Sequence, residues 1–301
     1  MSKKDTIIKQ DIGLKRYTVD KYYTKSDIVE DCKVQIKKHI YIKENDLIIE
    51  PSAGNGSFIK IIKELTKNHK FYDLIPENKE IIKQDFLLLD IDKIIEPLTN
   101  YKVNDEAPVN SKNSLRRPYK KIHIIGNPPF GRQSSLAIQF IKKCCEFADT
   151  ISFILPNSFK KDSNKAKFDN FFHLIYEKDL PENSFSVNGD DCDVPCVFQI
   201  WKKKKTERII PDKIEPKNFK FVDKTKHHDI SFRRVGVYAG KIDKKTDDKS
   251  IQSHYFIKFT NNKSVNDNIK LLEKINFDFN NTVGPKSISK QELIKEFNKY
   301  I

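Results

Sequence analysis

The feature that most restricts the fold is a strand, a glycine turn and a helix in immediate succession. The apolar run Leu47, Ile48 and Ile49 ends at Glu50 and passes straight into Pro51, Ser52, Ala53, Gly54, Asn55 and Gly56. Phe58, Ile59, Ile61, Ile62 and Leu65 then follow at helical spacing. Open α/β sheets bind nucleotides at the carboxyl ends of their strands, where glycines let a ligand approach the backbone. The turn departs from Gly-x-Gly-x-x-Gly because Ile59 stands at the third glycine position, which disfavours a nicotinamide or flavin pyrophosphate site. The Gly-x-x-x-x-Gly-Lys-Ser/Thr signature is missing too, so ATP chemistry has little support. Taken alone, these residues are explained as well by a plain tight turn.

The same alternation continues along the chain. A helix is expected from Ser26, with Ile28, Val29, Cys32, Ile36 and Ile40 on one face. Strand-like runs recur at Lys70–Asp73, Ile81–Phe86, Ile122–Ile125, Ile151–Leu155 and Val194–Trp201, with a helical pattern at Leu136–Ala148. This predicts an α/β fold: a doubly wound, mostly parallel, Rossmann-like sheet. The polar stretch from Pro97 to Lys121, with Arg116 and Arg117, reads as a surface insertion.

After Trp201 the character changes. A basic run, Lys202–Lys205, is followed by Pro211 and Pro216, which marks a linker. The reading is therefore two domains, 1–205 and 206–301, the second a small α+β domain. It is expected to hold strands at Ile230–Tyr238 and His254–Phe259, a helix at Asn266–Ile275, and a last helix opened by the capping pair Ser289 and Glu292. The formal charge of +14 is uneven: residues 202–301 carry 24 Lys and Arg against 13 Asp and Glu, the preceding residues 32 against 29. That asymmetry suggests a polyanion held by the second domain. Arg233, Arg234 and Lys241 are the candidate phosphate contacts, because Gly236 and Gly240 beside them permit close backbone approach. A solvated face, or pairing with Asp229 and Asp243, would explain them equally well.

The most telling run is Ile124, Ile125, Gly126, Asn127, Pro128, Pro129, Phe130, Gly131. Two prolines directly after a strand hold the Asn127 amide and the Pro128 carbonyl rigidly at the edge of the sheet. An amino group on an aromatic ring is a poor nucleophile because its lone pair is delocalised. Two fixed acceptors on its hydrogens would favour a pyramidal nitrogen and aim the lone pair. Phe130 offers a flat apolar face to a base swung out of its stack. A proline turn with an Asn cap would explain one proline and the Asn, but not the whole run.

These residues resemble the class I S-adenosylmethionine-dependent methyltransferases that modify adenine N6 and carry an Asn/Asp-Pro-Pro-Tyr/Phe motif. The order Tyr22-Tyr23-Thr24, then Glu50–Gly56, then Asn127–Phe130 is similar to the gamma arrangement of the DNA adenine methyltransferases. The resemblance covers about residues 20–201. It implies a mostly parallel sheet with an antiparallel last strand, S-adenosylmethionine as cofactor, and Asn127, Pro128, Pro129 and Phe130 as the catalytic run. It further implies that Tyr23 and Thr24 grip the cofactor's methionine end, and that Glu50, Pro51, Ser52, Gly54 and Gly56 cup the cofactor together with Asn127. Asp73 would accept from the ribose hydroxyls. Asp85 and Phe86 would bind the cofactor's adenine, and Phe185, in Leu180–Phe185, would pack on the target base beside Phe130. Core packing explains Phe185 equally well.

The same motif also serves RNA adenine methyltransferases and enzymes that methylate a protein glutamine, while a catalytically silent binding module would have a broken Asn127 or cofactor turn. Motif order and the basic second domain favour DNA over RNA, and Phe130 with the basic domain leans against a protein substrate. Hydrophobic residues make up 38% and charged residues 33% of the chain, and no apolar run approaches the ~20 residues that span a bilayer. The expectation is a protein of a cytosolic or nuclear-type reducing compartment, neither secreted nor membrane-bound. The five cysteines are expected to be reduced. Cys192 and Cys196 with His227 and His228 lack the Cys-x-x-Cys pairs of zinc ribbons, so no metal is expected.

Overall fold

The computed structural model describes residues 22–92, 119–187, 189–279, 281 and 286–301. Arg116 and Arg117, with most of the 97–121 insertion, lie outside the described residues. The chain divides into two compact units, Met1–Arg208 and Ile209–Ile301.

In the first unit the elements run β1 (Tyr23–Thr24), α1 (Ser26–His39), β2 (Leu47–Glu50), α2 (Ile59–Leu65), β3 (His69–Asp73), β4 (Ile82–Lys83), β5 (Ile122–Gly126), α3 (Ser135–Phe147), β6 (Thr150–Pro156), α4 (Asp162–Lys165), β7 (Phe172–Asp179), β8 (Phe185–Val187), β9 (Asp190–Cys192) and β10 (Cys196–Lys203). Seven strands form one sheet in the order β4-β3-β2-β5-β6-β10-β7. The first five are parallel, and β10 runs antiparallel between β6 and β7. This is a Rossmann-like sheet, mostly parallel with an antiparallel last strand. A small antiparallel sheet, β1-β8-β9, accompanies it.

Continuous apolar runs form the middle strands because both faces of the sheet are covered. β2, β5 and β6 are buried at every position. Alternate residues serve opposite faces: Leu47 and Ile49 belong to the core with Ala137, Phe140, Ile141 and Cys144 of α3. Ile48 belongs to the core with Ile28, Val29 and Ile36 of α1 and Ile59, Ile61 and Ile62 of α2. Each fully buried Leu or Ile contributes about 1.5–3 kcal/mol. The dipole of α1 is complemented by Asp27 in its first turn and Lys37, Lys38 and His39 in its last.

Three elements differ from the sequence reading. The run Ile81–Phe86 forms only the two-residue β4, after which Asp85 caps a 3₁₀ turn over Phe86–Leu88 by accepting from the Leu87 N–H at 2.9 Å. β7 gave no strand signal because it is an edge strand: only Phe172 is buried, and its end is charged and exposed. The hairpin β8–β9 has three residues per strand, too short for a periodic pattern.

The first unit runs through Arg208, whose guanidinium donates to the carbonyls of Phe168 at 2.9 Å and Phe172 at 2.8 Å. The second unit contains β11 (Phe219–Val222), β12 (Ile230–Arg233), β13 (Ile242–Asp243), β14 (His254–Phe259), α5 (Val265–Leu272) and α6 (Lys290–Phe297). Its sheet, β11-β14-β12-β13, is antiparallel throughout. Phe219, Ile230, Phe232 and Ile257 pack with Leu272, Leu293 and Phe297 in its core. Ser289 and Glu292 form the reciprocal capping box that opens α6. The strand expected over Ile230–Tyr238 stops at Arg233, because the chain turns through Gly236 at φ +98°.

All five cysteines are free thiols. Among the described residues, no cluster of three or more His, Cys, Asp and Glu side chains could hold a metal ion, and no helix is long and apolar enough to cross a membrane.

Candidate active site

The strand order reverses between β2 and β5, which pair with each other and lead away in opposite directions across the sheet. A crevice therefore opens beyond their carboxyl ends. The Glu50–Gly56 turn leaves β2 there, and Asn127–Phe130 leaves β5. The Ser52 hydroxyl joins the two by donating to the Asn127 carbonyl at 3.3 Å.

The turn is built for close approach. Gly54 and Gly56 take φ of +55° and +90°, and a Cβ on Gly56 would lie 2.6 Å from Ile59 Cδ1 and 3.0 Å from Asn78 Nδ2. Asp73, at the end of β3, holds the turn: Oδ2 accepts from the Gly54 N–H at 2.7 Å and Oδ1 from the Ile75 N–H at 2.8 Å. Each carboxylate oxygen keeps a second acceptor site, so this bracing leaves Asp73 able to accept from a ligand. The Tyr23 ring lies 3.5 Å from where a Gly54 Cβ would sit, and its hydroxyl donates to Glu77 Oε1 at 2.6 Å. Burial and that carboxylate push the phenol up to about 12.

Asn127 is oriented from a distant part of the chain. Its Nδ2 donates to the Tyr22 carbonyl at 3.1 Å and, more weakly, to Thr24 Oγ1 at 3.4 Å. With the amide nitrogen so engaged, Oδ1 is left as a buried acceptor with no partner. The Tyr22 ring also stacks on Phe130, centroids 6.1 Å apart and planes at 23°. From the sequence Tyr22 had only its place beside Tyr23 and Thr24, since a main-chain carbonyl has no sequence signature.

Two further aromatic side chains named by the resemblance are buried in the first unit. Phe185 is fully buried, with its ring edge-on to Tyr22 at 6.2 Å and its backbone paired with Thr24, so it buttresses β1 from within the core. Phe86 is 1% exposed and stacks on Phe140 of α3 at 5.7 Å. Its side chain packs in the apolar core, while Asp85 caps its own turn through Oδ1 and, like Asp73, keeps acceptor sites for a ligand.

Glu50 is 2% exposed, and its Oε2 has no hydrogen-bond partner. Burial, aided by the charge of Asp73, pushes its carboxyl well above the usual carboxylate range. A raised acid pKa means that stability is fully present below the unfolded-state pKa and is lost as pH rises towards the folded value. Glu50→Gln removes this ionisation, so it is expected to raise Tm at pH 8 by a few degrees, the scale of about 1 kcal/mol, and by much less at pH 4. Paired melts of both proteins over pH 4–8 test this, and a gain independent of pH would contradict it.

In the second unit the three candidate phosphate contacts are already engaged. Arg233 Nε donates to the Val235 carbonyl at 2.8 Å, and Arg234 donates to the Gln252 carbonyl from Nε at 3.1 Å and Nη2 at 2.7 Å. Lys241 lies 3.7 Å from Asp243. The arginines thus act first as braces of their own loop.

No family model matches the chain. Over 185 residues it is 29% identical to Protein ENHANCED DOWNY MILDEW 2 of Arabidopsis thaliana, a match that takes in 55% of this chain and 12% of the length of that protein. Among solved structures, it is similar to a Listeria monocytogenes protein named for the class I S-adenosylmethionine-dependent methyltransferases, with TM-score 0.41, 16% identity and 65% of each chain covered. It is also similar to the 23S rRNA methyltransferase ErmE, with TM-score 0.39 and 10% identity over 62% of this chain and 71% of that one.

Proposed function

We propose that the chain is an S-adenosylmethionine-dependent methyltransferase that places a methyl group on the exocyclic N6 of an adenine in nucleic acid, DNA in preference to RNA. The observation that carries this reading is the Asn127 Oδ1 atom, buried, without a partner and fixed as an acceptor by the bonds its Nδ2 makes to Tyr22 and Thr24. A buried acceptor left unpaired costs about 1–3 kcal/mol, and an amino hydrogen of an incoming base would relieve that cost.

The residues around the glycine turn fit the cofactor. Gly54 and Gly56 let the turn take the positive φ that shapes it, and Glu50 offers a second unpartnered buried oxygen. Tyr23, Thr24, Asp73 and the Glu50–Gly56 turn would hold it. When bound, S-adenosylmethionine supplies an electrophilic methyl carbon on a sulfonium. Asn127 Oδ1, and by the motif the Pro128 carbonyl, accept from the amino group and direct its lone pair at that carbon. That chemistry would be transfer of the methyl group to the amino nitrogen, with release of the thioether and of one amino proton to solvent. Phe130 supports the base from one face. Motif order favours DNA, and so does the charge of the second unit, where 19 basic residues stand against 12 acidic in 209–301.

The test is transfer of tritiated methyl groups from labelled cofactor to plasmid DNA, total RNA and protein in parallel, with the DNA product digested to nucleosides. N6-methyladenosine of the deoxy series is expected. Label confined to protein, or no transfer to any of the three, would overturn the reading.

A further inference from the structure

The loop between β12 and β13 holds an apolar tip out in water on a rigid frame. Val237 is 84% and Tyr238 71% exposed. The loop is not slack: Ala239 N–H donates to the Gly236 carbonyl at 3.0 Å, Lys241 N–H to the Tyr238 carbonyl at 3.1 Å, and Gly240 N–H to the Arg233 carbonyl at 2.8 Å. From outside the loop, Gly236 N–H is held by the Lys286 carbonyl at 2.9 Å. Arg233 locks the entry by donating to Val235, and Arg234 ties the loop to Gln252. Next to Gln252, Ile251 is 69% exposed. Single exposed apolar side chains need no explanation, but an aromatic ring presented on a braced loop is prepaid in conformational entropy for a ligand with a flat face.

The surrounding charge says which ligand. Residues 233–249 hold six basic residues and three acidic ones. Asp243 is shared by Lys241 at 3.7 Å and Lys249 at 3.5 Å, whereas Lys245 has no carboxylate partner among the described residues. An aromatic platform rimmed by lysines suits a polyanion that displays unpaired bases. We infer that Tyr238 stacks on an unpaired base of a single-stranded stretch of nucleic acid, whose backbone is followed by Lys244 and Lys245. This rests on the nucleic-acid reading above and assigns the second unit its part in it.

The test uses the full chain and dye-labelled single-stranded DNA, single-stranded RNA and duplex DNA of one sequence, with anisotropy read across a salt series. Tyr238→Ala is expected to weaken single-strand binding roughly 5- to 100-fold at every salt concentration, with an unchanged log–log slope, because no charge is removed. Tyr238→Phe should restore binding. Lys244→Ala with Lys245→Ala should instead reduce the slope by about 1.4, for two lost contacts to a single strand. The DNA and RNA arms show which strand is taken. Wild-type affinity in Tyr238→Ala, tighter binding of the duplex than of the single strand, or a Tyr238-dependent dimer in sedimentation would each overturn the inference. Methyl transfer to the same oligonucleotides separates the two readings. Transfer with unaffected Tyr238→Ala binding sinks this inference alone, and Tyr238-dependent binding without transfer sinks only the proposed activity.

Discussion

Asn127→Ala is expected to reduce methyl transfer by ~100-fold or more while cofactor affinity stays within a few-fold, the usual consequence of losing one oriented group aimed at the reacting atom. The atom removed, Oδ1, makes no hydrogen bond inside the protein, so its loss gives up none of the fold's hydrogen bonds. The substitution also removes the Nδ2 bonds to Tyr22 and Thr24, which loosens β1. Asn127→Asp separates the two effects. It keeps acceptors at the reacting nitrogen but gives up the amide donor, so its loss of turnover should be smaller than that of the alanine variant. Calorimetry for cofactor binding and single-turnover methyl transfer decide the matter. Near wild-type turnover in Asn127→Ala would remove the basis of the proposed chemistry.

The second large effect is expected at Asp73. Asp73→Ala deletes two charge-assisted acceptances, from Gly54 N–H at 2.7 Å and Ile75 N–H at 2.8 Å. Bonds of this type contribute about 1.5–3 kcal/mol each when shielded, and since Asp73 is only half-buried the lower end applies. The glycine turn loses its anchor, and the proposed ribose acceptor goes with it. Cofactor affinity should fall by at least ~10-fold, the equivalent of 1.4 kcal/mol, together with a drop in Tm. Asp73→Asn retains one acceptor oxygen and should recover part of the loss. A variant that melts earlier but binds cofactor as tightly as wild type would mean that Asp73 braces the turn and touches no ligand.

The pairing of these two substitutions reflects the layout of the crevice. Asp73 acts through the turn at the end of β2, and Asn127 through the rigid run at the end of β5, with Ser52 as the hydrogen bond between them. One substitution should register in binding and the other in turnover.

What the sequence by itself determined was whatever short-range physics dictates. Doubly covered strands must be continuously apolar, which exposed β2, β5 and β6. A tight turn with φ above zero at two positions demands Gly54 and Gly56. Two prolines after a strand restrict the backbone at Asn127 locally, though not the direction of its side chain. The capping box of Ser289 and Glu292 needs only four residues to be recognised. Tertiary structure alone decided matters that depend on partners far along the chain. Asn127 is oriented by Tyr22 and Thr24, more than 100 residues away. β7 exists because β10 offers it an edge, not because its own residues alternate. Phe86 and Phe185 carry the same chemistry whether they face a ligand or a core, and only the folded chain brings them against Phe140 and Tyr22. Likewise Arg233 and Arg234 could have met phosphates or carbonyls. The carbonyls of Val235 and Gln252 reached them because the loop closes on itself, and a guanidinium is held by whichever acceptor the fold brings within 3 Å.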